Sequence, residues 1–248
     1  MKNRIGASSL AFALLLAGCN DEGGNGAAAV AANGSAALPT VPAPNNGDWT
    51  EVVTQTPEGG FLMGNPNARV KVVEYASMTC PHCKAFSAEA TERLRNYYVR
   101  SGQVSFEFRN FILNAPDAAA SVLARCMAPA AFFRVTEQLF AAQDEWLAKI
   151  DDAEGQQIQA LPQSQQIPAL ARAMELDAFF RQRGMTEARL NQCLADQQAT
   201  ERLAQMNQTA TSQHGISGTP NFLINGERAP TATSWSTLEP LIRQRLGS

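Results

Sequence analysis

Hydrophobic positions change their period several times along the chain, and each change marks an element. Residues 70–76, V-K-V-V-E-Y-A, form a valine-rich run bounded upstream by Asn65-Pro66-Asn67, the pattern of a buried central strand. From Pro81 the period lengthens to three or four residues, through Cys83, Phe86, Ala90, Leu94 and Tyr97. This predicts an amphipathic helix ending near Gly102, with Pro81 in the first turn, where proline is tolerated. Residues 104–111 alternate in part and are rich in Phe, which predicts a second strand parallel to the first across the helix, a βαβ unit. Short strands are expected at 49–53 and 61–63, around the turn-forming Pro57-Glu58-Gly59-Gly60.

Downstream the pattern turns helical. Helices are expected at 117–127, 130–140 and 168–180, with Pro129 as an interruption and Gly184 as a stop. Thr186 is a cap for one further helix running through Leu190, Leu194, Leu203 and Met206. The Gln-rich stretch 156–166 reads as a loop. Strand character returns at 222–224, Asn225-Gly226 is a hairpin signal leading to a last strand near Arg228, and a helix over 236–246 closes the chain. The expected class is α/β, with a helical insertion at about 115–212 between a βαβ unit and a C-terminal ββα unit.

The first residues read as an address. Lys2 and Arg4 precede an apolar stretch ending at Leu16 that is too short to remain as a membrane-spanning helix, so 1–18 is expected to be a signal peptide. It ends in Leu16-Ala17-Gly18-Cys19, similar to a bacterial lipobox, which makes Cys19 a candidate for lipidation; a plain cleaved signal with an incidental Cys19 is the alternative. Residues 19–47 are rich in Gly, Ala, Asn and Pro and nearly without large apolar side chains, the composition of a disordered tether. That leaves 48–248 as the folded domain. The formal charge of −3 drops by two when Lys2 and Arg4 leave, so no cationic surface exists to neutralise phosphates, and nucleic acid is excluded as a partner. Export to a periplasm or cell envelope, with lipid on Cys19 as the membrane contact, places the cysteines where disulfides persist.

Of the five cysteines, lipid on Cys19 leaves Cys80, Cys83, Cys126 and Cys193. Cys80-Pro81-His82-Cys83 sits between a strand and a helix. Half a zinc knuckle is the competing reading of C-x-x-C, but a structural zinc site needs four ligands, and beyond the distant Cys126 and Cys193 the chain adds only His82 and His214. No metal site is expected. At a helix N-terminus the free amides and the dipole favour a thiolate, so Cys80 is the expected exposed nucleophile and Cys83, one turn in, the shielded resolving thiol. The His82 imidazole can donate a hydrogen bond or a charge to that thiolate, making the disulfide more oxidising; otherwise it is an exposed helix residue. Glu74 is either an edge-facing solvated carboxylate or a buried acid beneath the disulfide that moves protons. Cys126 and Cys193, in predicted helices, could be two buried thiols, but in an oxidising compartment the preferred reading is a structural disulfide contributing about 4 kcal/mol. His214 is expected to end a helix against its last carbonyls.

Over about residues 61–248 the chain resembles the DsbA family of bacterial disulfide oxidoreductases, in particular its lipid-anchored or secreted alphaproteobacterial members. The resemblance rests on Glu74 through Cys83 with its C-P-H-C, on Phe108-Arg109-Asn110-Phe111, and on Gly218-Thr219-Pro220-Asn221-Phe222. It implies a thioredoxin-like fold with a helical insertion, no cofactor beyond the Cys80–Cys83 redox disulfide, reduced exported proteins as substrates, and reoxidation by a quinone-linked membrane partner of the DsbB type. In that fold Thr219-Pro220 stands where a cis-proline loop faces the active cysteines, and is expected to be cis and to pair with the substrate backbone; an ordinary turn proline is the alternative. Oxidation is the leading reading. A tethered reductase or isomerase is the second, and a metal-carrying chaperone using Cys80, Cys83 and His82 is a third, of a different class.

Overall fold

The computed structural model describes residues 37–247. Among these residues six strands, β1 (Val53–Gln55), β2 (Phe61–Gly64), β3 (Val70–Ala76), β4 (Val104–Asn110), β5 (Asn221–Ile224) and β6 (Glu227–Arg228), form one sheet of order β1-β2-β4-β3-β5-β6. The valine run is central. β3 pairs parallel with β4, Val70 opposite Val104 and Ala76 opposite Asn110, and antiparallel with β5, Glu74 opposite Phe222. All of it but Lys71 is buried, because both faces of the strand are covered. Val70, Val72 and Ala76 share a core with Cys83, Phe86 and Ala90 of helix α1 (Pro81–Arg93), while Val73 and Tyr75 pack with Phe111, Ala210 and Leu223 on the other face. Strand, helix and parallel strand thus form the expected unit. α1 continues through a wide final stretch, Leu94–Val99, in which Arg100 N donates to Arg95 O five residues back.

Between β4 and β5 the chain builds α2 (Ala115–Arg125), α3 (Phe132–Ala141), α4 (Gln143–Leu147), α5 (Asp152–Gln159), α6 (Gln163–Ala173), α7 (Leu176–Arg181), α8 (Glu187–Leu194) and α9 (Gln197–His214). α3 carries Phe132 onto the sheet, where its ring stacks on Phe61 with centroids 3.8 Å apart. After β5, Asn225 and Gly226 turn the hairpin with φ of 53° and 83°, left-handed values that suit an Asn-Gly pair. α10 (Trp235–Leu246) closes the chain.

Five expectations differ from the structure. The 156–166 stretch is not a loop: α5 and α6 occupy most of it, because Gln is a good helix former, Asp151 caps α5 by accepting from Glu154 N at 2.8 Å, and Ile158 and Leu170 supply buried contacts. The helix expected over 168–180 begins earlier, holds Pro168 inside α6, and breaks at Glu175, which adopts φ 54° before α7. The helix expected from Thr186 through Met206 is two, since Asp196 caps α9 by accepting from Ala199 N at 3.1 Å. Residues 49–51 form a short 3-10 turn ahead of β1. Residues just upstream, expected in the tether, lie against the body: Val41 N donates to Ser101 O at 2.8 Å and Trp49 Nε1 to Val41 O at 2.8 Å. Trp49 also explains Gly102, at φ 73°, where a Cβ would come within 2.6 Å of the indole nitrogen.

Candidate active site

α1 begins at Pro81 with Cys80 as its N-cap, and the cap acceptor is a sulfur: Cys83 N donates to Cys80 Sγ at 3.4 Å. Free amides at a helix start stabilise negative charge. The Cys80 thiol is accordingly held down to about 5, chiefly by the Cys83 side chain beside it, against the opposing effect of burial, with help from the main-chain amides of Cys83 and His82. Cys83 is shifted well upward, first by burial and then by the neighbouring Cys80. One thiol is thus poised as a thiolate and its partner as a protonated thiol. The expectation of an exposed Cys80 is corrected: it is 5% exposed against 0% for Cys83, because the 219–220 loop closes over it and Cys80 Sγ meets Thr219 O at 3.4 Å. His82 is exposed, and the group it brings to Cys80 is its backbone N–H.

Glu74 lies on central β3 and is 3% exposed, so the edge-facing, solvated reading is overturned. Phe108 and Phe222 flank it in register on the neighbouring strands. Burial, and secondarily the charge on Cys80, drive its carboxyl well above the usual range, and the same carboxylate acts upward on Cys83. Its Oε1 has no hydrogen-bond partner. A cavity of about 30 Å³ opens beside it, lined in part by Phe86, Ala90, Thr136 and Phe140.

The Thr219–Pro220 bond is cis and Pro220 is buried. Cys126 and Cys193 are joined as a disulfide across 67 residues, linking the end of α2 to α8 with Cα atoms 6.2 Å apart. By helical rise, that bridge sits roughly 13 Å along α2 from its first turn. His214 ends α9, but the last carbonyls are met by main chain, Gly215 N to Thr211 O and Ile216 N to Ala210 O. Its ring instead lies 6.1 Å from that of Tyr75. Cys19 lies outside the described residues. Among the described residues no group of three or more His, Cys, Asp or Glu side chains is placed to hold a metal, and no helix is long and apolar enough to cross a membrane.

Two buried side chains near the cysteines escaped the sequence reading. Asp117, in the first turn of α2, accepts from Met78 N at 2.8 Å and Leu113 N at 3.0 Å. Gln143, at the start of α4, donates to Met78 O at 2.8 Å and Cys80 O at 3.0 Å. The only sequence trace of Asp117 is an acid three residues after a capping Asn114, which says nothing of a contact 39 residues back. Gln143 left no trace.

Residues 56–244 match the thioredoxin family profile. A protein-disulfide isomerase from Novosphingobium aromaticivorans, solved as a crystal structure, is 31% identical, covers 75% of this chain and 97% of its own, and superposes with a TM-score of 0.71. Wolbachia pipientis α-DsbA1 is 21% identical, with 77% and 92% covered and a TM-score of 0.63, a likeness of fold. A Rickettsia bellii protein bearing the provisional name protein-disulfide oxidoreductase is 27% identical over 177 residues, 71% of this chain and 61% of its own. The chain therefore spans about three fifths of the length of the curated relatives it matches.

Proposed function

The chain belongs to the thioredoxin family, and from that premise we propose that it is a thiol:disulfide oxidoreductase that introduces disulfides into exported proteins through Cys80 and Cys83. The observation carrying this reading is the Cys80 sulfur capping α1, with its thiol held down to about 5. A sulfur so stabilised is a good leaving group, and its stability as thiolate favours the reduced enzyme, which makes the disulfide an oxidant.

In the cycle, a substrate thiolate attacks Cys80 of the oxidised pair. The Cys80–Cys83 bond breaks and a mixed disulfide forms. Cys83 leaves and takes up a proton, in keeping with its strongly raised affinity, and Glu74 is the group we assign to deliver that proton. A second substrate thiolate then attacks the substrate sulfur, expelling Cys80 as thiolate. Two electrons have entered the enzyme and one disulfide has formed in the client. The Thr219–Pro220 segment, with Thr219 O beside Cys80, is suited to align an extended substrate backbone. The His82 imidazole, exposed at the site, would face the incoming chain. Reoxidation is assigned to a quinone-linked membrane partner of the DsbB type. Residues 1–18 as signal, lipid on Cys19, and residence in the periplasm or cell envelope complete the reading; mass spectrometry of membrane-extracted protein should find the lipid adduct on Cys19.

The test is the equilibrium reduction potential against glutathione. A value near about −120 mV supports the oxidase, and one near about −270 mV overturns it in favour of a reductase. Isomerisation is the second reading, favoured by the name of the 31% identical Novosphingobium protein; it predicts that reduced enzyme rescues a scrambled, fully oxidised client.

A further inference from the structure

The loop that delivers Cys80 is held from outside the strand and helix it joins. Met78 sits between β3 and α1, and both of its main-chain polar groups end on insertion side chains: its N–H on Asp117 Oδ1 and its carbonyl on Gln143 Nε2. Asp117 is 0% exposed and Gln143 1%. Ser121 Oγ also donates to Asp117 Oδ1, at 3.2 Å, and Leu113 N to Oδ2, so both carboxylate oxygens are engaged. Burial still pushes Asp117 up to about 6, a cost that an apolar residue of similar size would avoid. What an apolar residue cannot do is fix where a peptide group lies.

The position of that peptide bears on the chemistry. The Cys83 N to Cys80 Sγ contact is 3.4 Å long, and hydrogen bonds weaken steeply with stretch and misalignment. Gln143 reaches Cys80 O as well, the same oxygen that accepts the first helical bond of α1, from Lys84 N at 3.1 Å. A single amide therefore ties the preceding loop to the first turn, and Asp117 anchors the loop's other side.

We propose that Asp117 and Gln143 are positioning residues for Cys80: acting through the peptide groups of Met78 and Cys80, they set how well the α1 amides meet the Cys80 thiolate and thereby the redox poise of the pair. The proposal rests on the oxidoreductase reading above.

The test uses the full chain carrying Asp117→Asn or Gln143→Met. Asn turns one oxygen into a donor that faces a backbone N–H, and Met keeps the bulk of Gln without its amide. In each variant we expect the Cys80 thiolate, followed by its ultraviolet absorbance against pH, to form with an affinity about 3- to 10-fold weaker, and the glutathione equilibrium to shift by a similar factor toward the enzyme disulfide. Thermal unfolding of the two redox forms should show a larger loss in the reduced than in the oxidised form. Equal losses in both forms with an unchanged thiolate titration would mean a purely structural role and overturn the proposal; should Asp117→Asn not fold, Gln143→Met decides alone. A wild-type potential near that of a reductase would sink the oxidase reading, whereas the variant-to-wild-type comparison tests the positioning role separately.

Discussion

At Cys80 and Cys83 the two thiols differ in what their neighbours do to charge. Cys80 is held down to about 5 and Cys83 is raised well above its ordinary value. Between these limits reduction takes up one proton for two electrons, and below about pH 5 it takes up two. The potential should therefore fall by about 30 mV per pH unit above pH 5 and by about 59 mV per unit below it. Glutathione equilibria at a series of pH values check this; a slope near 59 mV maintained to pH 8 would mean that Cys80 is an ordinary thiol. Glu74 is a buried acid with an unpartnered oxygen, and removing such a group relieves a desolvation cost of about 1–3 kcal/mol. Glu74→Leu should raise stability in denaturant melts while slowing disulfide exchange, and Glu74→Gln should slow exchange without unfolding the chain. Unchanged exchange rates in both would leave Glu74 no part in proton transfer.

Apart from the 18-residue α9 the elements of the insertion are short, and a covalent tie accompanies their packing. Cys126 and Cys193 close a loop of 67 residues between α2 and α8. The loop-entropy relation puts its contribution at about 4 kcal/mol, so Cys126→Ala with Cys193→Ala should lower the denaturation midpoint accordingly. Cys126 caps the C-terminal end of the short helix that carries Asp117, whose carboxylate holds the Cys80 loop. Loosening α2 should therefore also be felt at the active cysteines. The measurement is the Cys80 thiolate titration repeated in the double variant, where an unchanged curve would show that the first turn of α2 stays in place without the bridge.

For the whole molecule, the depressed Cys80 ties folding stability to pH. The folded thiol titrates at about 5 against an ordinary value of 9.0, so between these limits the unfolded reduced chain binds more protons, and stability rises with pH. The contribution is complete above about pH 9, partly present at pH 7, and lost as pH falls through about 5. Asp117 works in the opposite sense: its pKa is raised from 3.8 to about 6, so stability declines as pH climbs between those values. Unfolding of the reduced wild type against Cys80→Ser across pH isolates the first effect. A difference that does not grow with pH above 5 would rule it out.

Local order was legible in the chain itself. The valine run dictated a strand, the three- and four-residue spacing after Pro81 a helix, and Asn225-Gly226 a hairpin, because each depends on contacts or dihedrals within a few residues. A cysteine at a helix start was enough to name Cys80 and Cys83 as the reactive pair and to place their neighbours in a redox-competent unit. Over 156–166, where Gln-rich polarity by itself suggests a loop, helix propensity and capping at Asp151 prevail. Tertiary structure alone decided that Glu74 lies between Phe108 and Phe222 rather than at an edge, since strand order is set by partners distant in sequence. It also decided that Cys80 is covered by the Thr219–Pro220 loop, and that Asp117 and Gln143 hold the peptide groups beside it. These are contacts across 39 to 139 residues, and a side chain's type does not reveal which remote backbone group it will meet once the chain has closed around it.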